Sequence, residues 1–165
     1  MMVCPLTPHI LAHKMEIRTD DLSGRNIRAL LERHLADAYS NSPADCVFAL
    51  PIDALKEPNI TFWSIWKNSE LLGCGALKQL TNTHGEIKSM RTANTALGRG
   101  VGSKMLAHII KAAKTRGMAR LSLETGENEA YAQARALYTK FGFEVCGPFA
   151  DYKESAFSVF MTLDL

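Results

Sequence analysis

The stretch Leu97-Gly98-Arg99-Gly100-Val101-Gly102 is where the reading of this sequence turns. Short aromatic and β-branched runs lie before it. After it, Val101, Met105, Ile109, Ile110 and Ala113 recur at the spacing of one helix face. Glycines between a strand and a helix start have a physical use. The first N–H groups of a helix lack internal partners, and the helix dipole favours negative charge there. Glycine lets a backbone approach an anion closely and take positive φ. The loop therefore reads either as a cradle for a phosphate or pyrophosphate, or as a tight turn leading into a capped helix. A P-loop needs G-x-x-x-x-G-K-[ST], and Ser103-Lys104 stands at the wrong spacing after Gly98. A dinucleotide fingerprint needs G-x-G-x-x-G early in a parallel sheet, and G-x-G-x-G after antiparallel strands fits it poorly.

Working back from the loop, Glu86 to Thr92, Leu71 to Leu80 and Thr61-Phe62-Trp63-Ser64-Ile65-Trp66 read as strands joined by short turns, an antiparallel meander. Gly73 and Gly75 weaken the middle strand or mark a bulge. Before them, Ile27, Leu30, Leu31, His34 and Leu35 form a helix stripe with Ser23 as its expected cap. The segment PIDALKE reads as a helical turn. Working forward, Gly117 closes the helix after the loop, and Leu121 to Thr125 is a strand. That strand–helix–strand unit is long enough for a parallel crossover. Ala134, Leu137, Tyr138 and Phe141 share a second helix face ended by Gly142, and 143–146 and 157–163 are closing strands. The expected fold is a mixed α/β (α+β) one: a mostly antiparallel central sheet of six to seven strands with about four helices.

The 165 residues suit one domain, and 47% hydrophobic with 22% charged residues is an ordinary globular balance. The formal charge of +2 gives no reason to expect nucleic acid as a partner. No apolar run approaches a membrane span. Cys4, Cys46, Cys74 and Cys146 are scattered without metal-ligand spacing, which predicts a reduced, cytoplasmic protein with no metal. Residues 1–14 read as a poorly ordered extension with a second start at Met15, and 15–165 as the single domain.

A strand ending Met90-Arg91-Thr92, then L-G-R-G-V-G and an amphipathic helix, resembles the acyl-CoA motif Q/R-x-x-G-x-G/A of the GNAT superfamily of N-acyltransferases. Gly100 and Gly102 match its last two fixed positions. The stretch Ala136-Leu137-Tyr138-Thr139-Lys140-Phe141-Gly142-Phe143 resembles the family's second signature, L-Y-x-x-x-G-F, and the tail from Pro148 resembles small stand-alone bacterial members. The resemblance covers about residues 15–165. Leu97 stands where the family usually has Gln or Arg. Arg99 either supplies the missing charge or is a solvated loop arginine.

The resemblance implies an N-acetyltransferase that moves an acetyl group from acetyl-CoA directly to an amine, on a small molecule or a peptide. A homodimer is compatible with it. The alternative is a CoA-binding sensor or partner-binding module without turnover. Met90, Arg91 and Thr92 would offer backbone groups to pantetheine, and Leu97, Gly98, Arg99, Gly100, Val101 and Gly102 would cradle the pyrophosphate. Tyr138 is the implied general acid, its other reading being an aromatic packed on the helix face. Glu86 is either the general base or a strand-start glutamate facing water. Strand alternation puts Glu86, Lys88, Met90 and Thr92 on one face. Asn128 either contacts pantetheine or the acceptor, or only shapes a turn. Glu124 and Glu127 would flank the acceptor side of the cleft and favour a cationic amine. Trp63 and Trp66 are expected to pack in the sheet, and His84 and His108 to lie on the surface.

Overall fold

The computed structural model describes residues 14–165. Apart from Lys14, the expected N-terminal extension lies outside the described residues, as does Cys4. The strands are β1 (Glu16–Thr19), β2 (Ile60–Lys67), β3 (Glu70–Gln79), β4 (His84–Thr92), β5 (Arg120–Gly126), β6 (Glu144–Cys146) and β7 (Ser158–Asp164). They form one sheet in the order β1-β2-β3-β4-β5-β7-β6. The β4–β5 pair is parallel and every other pairing is antiparallel, as the meander and crossover predict. The α-helices are α1 (Arg25–Asn41), α2 (Val101–Thr115) and α3 (Ala132–Lys140). Three α-helices and four 3-10 turns therefore stand, among the described residues, where about four helices were expected; the PIDALKE turn is 3-10 over Ala54–Lys56.

Helix α2 lies against one sheet face because Val101, Met105, Leu106, Ile109 and Ala113 fall on one side of it, all buried. Tyr138, Leu137 and Phe141 of α3 join the same cluster, with Leu72, Leu77, Leu121 and Leu123 beneath. Helix α1 covers the other face with Ile27, Leu30 and Leu31 over Phe62, Cys74 and Ala76. Its cap is Gly24, not Ser23. Ser23 is instead turned back onto the preceding residues, its N–H and hydroxyl both donating to the Asp21 carboxylate.

Strand β4 changes faces partway along. Cys74 pairs with Arg91 and Ala76 with Lys88, so Ser89 and Met90 together oppose Gly75. That is a β-bulge, and Ser89 accordingly takes φ +53°. Before it, Glu86 and Lys88 point to the α1 side, level with Ala76. After it, Met90 packs toward α2, its sulfur beside Gly75, and Thr92 lies near Gly102. The simple alternation that would put Glu86, Lys88, Met90 and Thr92 on one face is thus broken. The strand glycines mark this site as expected: a Cβ on Gly75 would lie 2.9 Å from Ile109, Met105 and Met90 at once.

Trp63 is buried in the sheet, and Trp66 donates from Nε1 to Ser64 Oγ while Arg18 stacks over its ring. The two histidines are half-buried and not surface groups. His84 Nε2 lies 2.7 Å from Ser122 Oγ, and the His108 ring meets Trp63 edge-on.

Candidate active site

The site begins where two strands part. The parallel pairing of β4 with β5 runs from His84↔Arg120 only as far as Glu86↔Ser122, although β4 continues to Thr92 and β5 to Gly126. Beyond Glu86 the β4 edge facing β5 has no strand partner, and a cleft opens between them. Its outer part, about 660 Å³, is lined by Met90, Arg91, Thr92, Leu97 and the turn Gly98 to Ser103, with Leu137 and Tyr138 opposite.

Gly98 and Gly100 carry φ of +74° and +77°, the left-handed conformation that puts successive amides toward the cleft. No side chain caps α2, and no acidic residue sits in its first turn. The first intrahelical bond of this end is Lys104 N–H to Gly100 C=O, so the N–H groups of Val101, Gly102 and Ser103 are left without helix partners. Gly102 lets α3 come close, since a Cβ there would stand 3.1 Å from Leu137. This is an anion-binding end by geometry.

Of the residues expected to hold the pyrophosphate, Leu97, Gly98, Gly100, Val101 and Gly102 line the cleft. Arg99 does not; its Nη1 donates to Glu70 at 3.3 Å. Leu97 is 59% exposed, an apolar side chain at the cleft mouth. Met90, Arg91 and Thr92 are in place, with the Arg91 guanidinium paired to Asp37 of α1. Asn128 lies outside the cleft lining. Its carbonyl side-chain oxygen accepts from Ala130 N–H, and its Nδ2 donates to the Asn41 carbonyl, so it shapes the turn before α3 and ties it to α1.

An inner compartment of about 120 Å³ adjoins the outer cleft on the α1 side. Val47, Phe48 and Ala49 wall it from the α1–β2 connection, Lys88 and Ser89 from β4, and Glu124 from β5. The two spaces share His34, Ala38, Met90, Tyr131, Ala134 and Tyr138. Tyr138 is therefore at their junction as well as in the core, where its ring meets Phe143 edge-on. Burial, reinforced by the Glu124 charge, raises its phenol pKa, so it stays protonated. Burial also pushes the His34 imidazole down to about 4, with Arg91 adding to the effect and Asp37 opposing it, so His34 is neutral at pH 7.

Glu86 is 2% exposed and does not face water. Lys88 Nζ donates to its Oε1 at 3.0 Å and to Tyr152 Oη at 2.8 Å, and the Tyr152 hydroxyl donates to the same Oε1. Glu86 is absent from the lining of both spaces. His34, Tyr131 and Tyr152 were not singled out from the sequence. His34 was legible only as one more member of the α1 stripe.

The comparisons agree with this geometry. The Acetyltransferase (GNAT) family matches residues 27–143. The chain is 51% identical, over 92% of its length and 100% of the relative's, to the uncharacterized N-acetyltransferase YsnE of Bacillus subtilis (strain 168). Among solved structures it resembles an acyl-CoA N-acyltransferase from Klebsiella pneumoniae (28% identity, TM-score 0.73, covering 92% of this chain and 97% of that one). It also resembles a GNAT family acetyltransferase from Elizabethkingia anophelis solved with acetyl-CoA bound (20% identity, TM-score 0.67, covering 92% and 98%). With a family match over most of the chain and a relative at this identity, the chain belongs to the GNAT acetyltransferase family and is an acyltransferase enzyme.

Proposed function

We propose that this enzyme transfers an acetyl group from acetyl-CoA directly to an amine acceptor. The observation that carries this is the parting of β4 from β5, with free helix amides at one end of the cleft and Tyr138 at its middle. The acetyl-CoA bound by the similarly folded E. anophelis protein supports the choice of donor. The amides of Gly100 to Ser103 hold the pyrophosphate, and the unpartnered β4 edge at Met90 to Thr92 holds the pantetheine amides. A backbone N–H near Met90 stabilises the oxyanion of the transition state. Tyr138, kept protonated by its raised pKa, donates a hydrogen bond to the departing thiolate and passes its proton to the sulfur as it recovers one from solvent. Leu97 and Gly98 shape the mouth, while Arg99 and Asn128 act through loop shape. Glu86 lines neither space and its Oε1 already accepts from Lys88 and Tyr152, so the amine's proton leaves to water.

The test is a panel of amines with acetyl-CoA, following release of free CoA thiol. Turnover of at least one amine supports the reading. Acetyl-CoA binding without turnover of any acceptor makes the protein a CoA-binding module instead. Binding itself is read from melting. At about 100-fold excess over Kd, acetyl-CoA stabilises by about 2.7 kcal/mol, a rise of roughly 5–10 °C at this size. ATP and NAD should give none.

Gly100→Asp should erase that rise without unfolding the protein. Nothing lies within 4 Å of a Cβ at Gly100, so the cost is that of the left-handed backbone, about 1–2 kcal/mol. The new carboxylate repels the pyrophosphate from its amides. A variant that acetyl-CoA stabilises as it does the parent would reduce the loop to a turn.

Leu97→Arg should tighten CoA binding and make it more salt-sensitive. The exposed side chain at the cleft mouth can reach a phosphate, and a charge-assisted bond contributes roughly 1.5–3 kcal/mol before ordering costs. Calorimetry at two salt concentrations decides it; unchanged affinity would show that position 97 does not meet the phosphates.

A further inference from the structure

The inner compartment has a charge pattern of its own. Lys88 is its one lining cation, and that ammonium is already engaged by Glu86 and Tyr152. His34 is neutral, and the Arg91–Asp37 pair belongs to the outer cleft and is self-compensated. Glu124 is left with no ion-pair partner among the described residues, although it lines the compartment. The hydroxyl of Ser89, on the same wall, has no hydrogen-bond partner among the described residues but is shielded from the open space, which leaves the Glu124 carboxylate as the compartment's accessible charge. The remaining wall is mainly apolar, with Val47, Phe48, Ile87, Met90 and Ala134.

We infer that the inner compartment receives the acceptor as a compact primary ammonium with an apolar body, its charge held by Glu124. This rests on the reading of the chain as an N-acetyltransferase and names the substrate class of the same site. Size points the same way. The compartment's 120 Å³ is below the ~150 Å³ of an apolar cavity that admits benzene. Roughly five or six non-hydrogen atoms fit, and the nitrogen must lie toward the mouth shared with Tyr138. An acceptor carrying a carboxylate, such as a free amino acid, would set a second negative charge beside Glu124 with no free cation to answer it. Burial raises the Glu124 pKa, and an arriving ammonium draws it back toward its ordinary value.

Three probes of one shape separate charge from packing: isopentylammonium, isopentanol and isovalerate. Each is titrated into the protein saturated with CoA, and binding is followed by amide chemical shifts. The cation should bind about tenfold or more tightly than the alcohol, and isovalerate most weakly. Glu124→Gln should remove the cation's advantage while leaving the alcohol's affinity within about twofold, which shows that the pocket is still formed. Glu127, which the sequence placed beside the acceptor, is exposed and lines neither space, so Glu127→Gln should change neither affinity. Isovalerate binding as well as the cation, a cation preference that survives Glu124→Gln, or no binding of any probe overturns the inference. Failure of the parent to bind CoA would instead overturn the proposed function.

Discussion

Replacing Tyr138 with phenylalanine lowers kcat by about 10²–10⁴, the usual size of general acid catalysis, with acetyl-CoA affinity nearly unchanged. The expectation follows from where the hydroxyl stands. The ring is part of the core against Phe143, yet the residue lines both the outer cleft and the inner compartment. Among the described residues no protein group hydrogen-bonds its hydroxyl, so phenylalanine removes an oxygen and no protein hydrogen bond. Stability should therefore hold, and the loss should appear in kcat alone. Because burial raises the phenol's pKa, the acid stays protonated across the neutral and mildly alkaline range. The variant's rate should then be depressed by a similar factor at pH 6 and at pH 9. If it turned over within about threefold of the parent with chemistry rate-limiting, Tyr138 would be a core residue only.

Lys88→Met should cost about 3–5 kcal/mol of stability, the usual size when one partner of a buried ion pair is removed. The Lys88 and Glu86 side chains are 9% and 3% exposed, so water cannot take over from the lost ammonium. Tyr152 would remain as the one donor to Oε1, and it is neutral. At this chain length the melting point should fall by roughly 10 °C, and urea unfolding should give the free energy. The double variant Glu86→Leu, Lys88→Met should recover most of the loss, because replacing both charges with apolar groups is often neutral or stabilising. A single variant that lost less than about 1 kcal/mol would mean that the pair is hydrated and behaves like a surface bridge.

The parts of this fold that announce themselves in sequence are those set by local periodicity and by glycine. The α2 stripe, the strands of the meander and the loop from Gly98 to Gly102 needed only nearby residues. The bulge in β4 was half-legible: Gly75 marked it, but the residue that bends is Ser89, and its conformation is imposed by pairing with β3. Glu86 and Lys88, two apart on a strand, look like a polar stripe facing water. What buries them includes Tyr152, from a connection more than sixty residues away. His34 looked like one more stripe residue because its neighbours in the cleft come from β4 and α3. Arg99 could not be assigned from the loop alone, since its partner Glu70 opens a different strand. Glu124 was legible as an acceptor-side carboxylate, but that Lys88 is engaged by Glu86 and Tyr152, and that Glu127 lies outside both spaces, came only from tertiary structure.

The order β5-β7-β6 has a consequence for how the protein is made. In sequence β6 precedes β7, yet in space β7 lies between β5 and β6, pairing seven residues of β5 from Arg120 to Gly126 and three of β6. A nascent chain can assemble the first five strands as they emerge from the ribosome, but β6 has nothing to pair with until β7 has been translated. During that interval the long edge of β5 is an open template, with Leu121 and Leu123 along it. Until β7 docks, that edge is thus open to pairing with another copy of the chain.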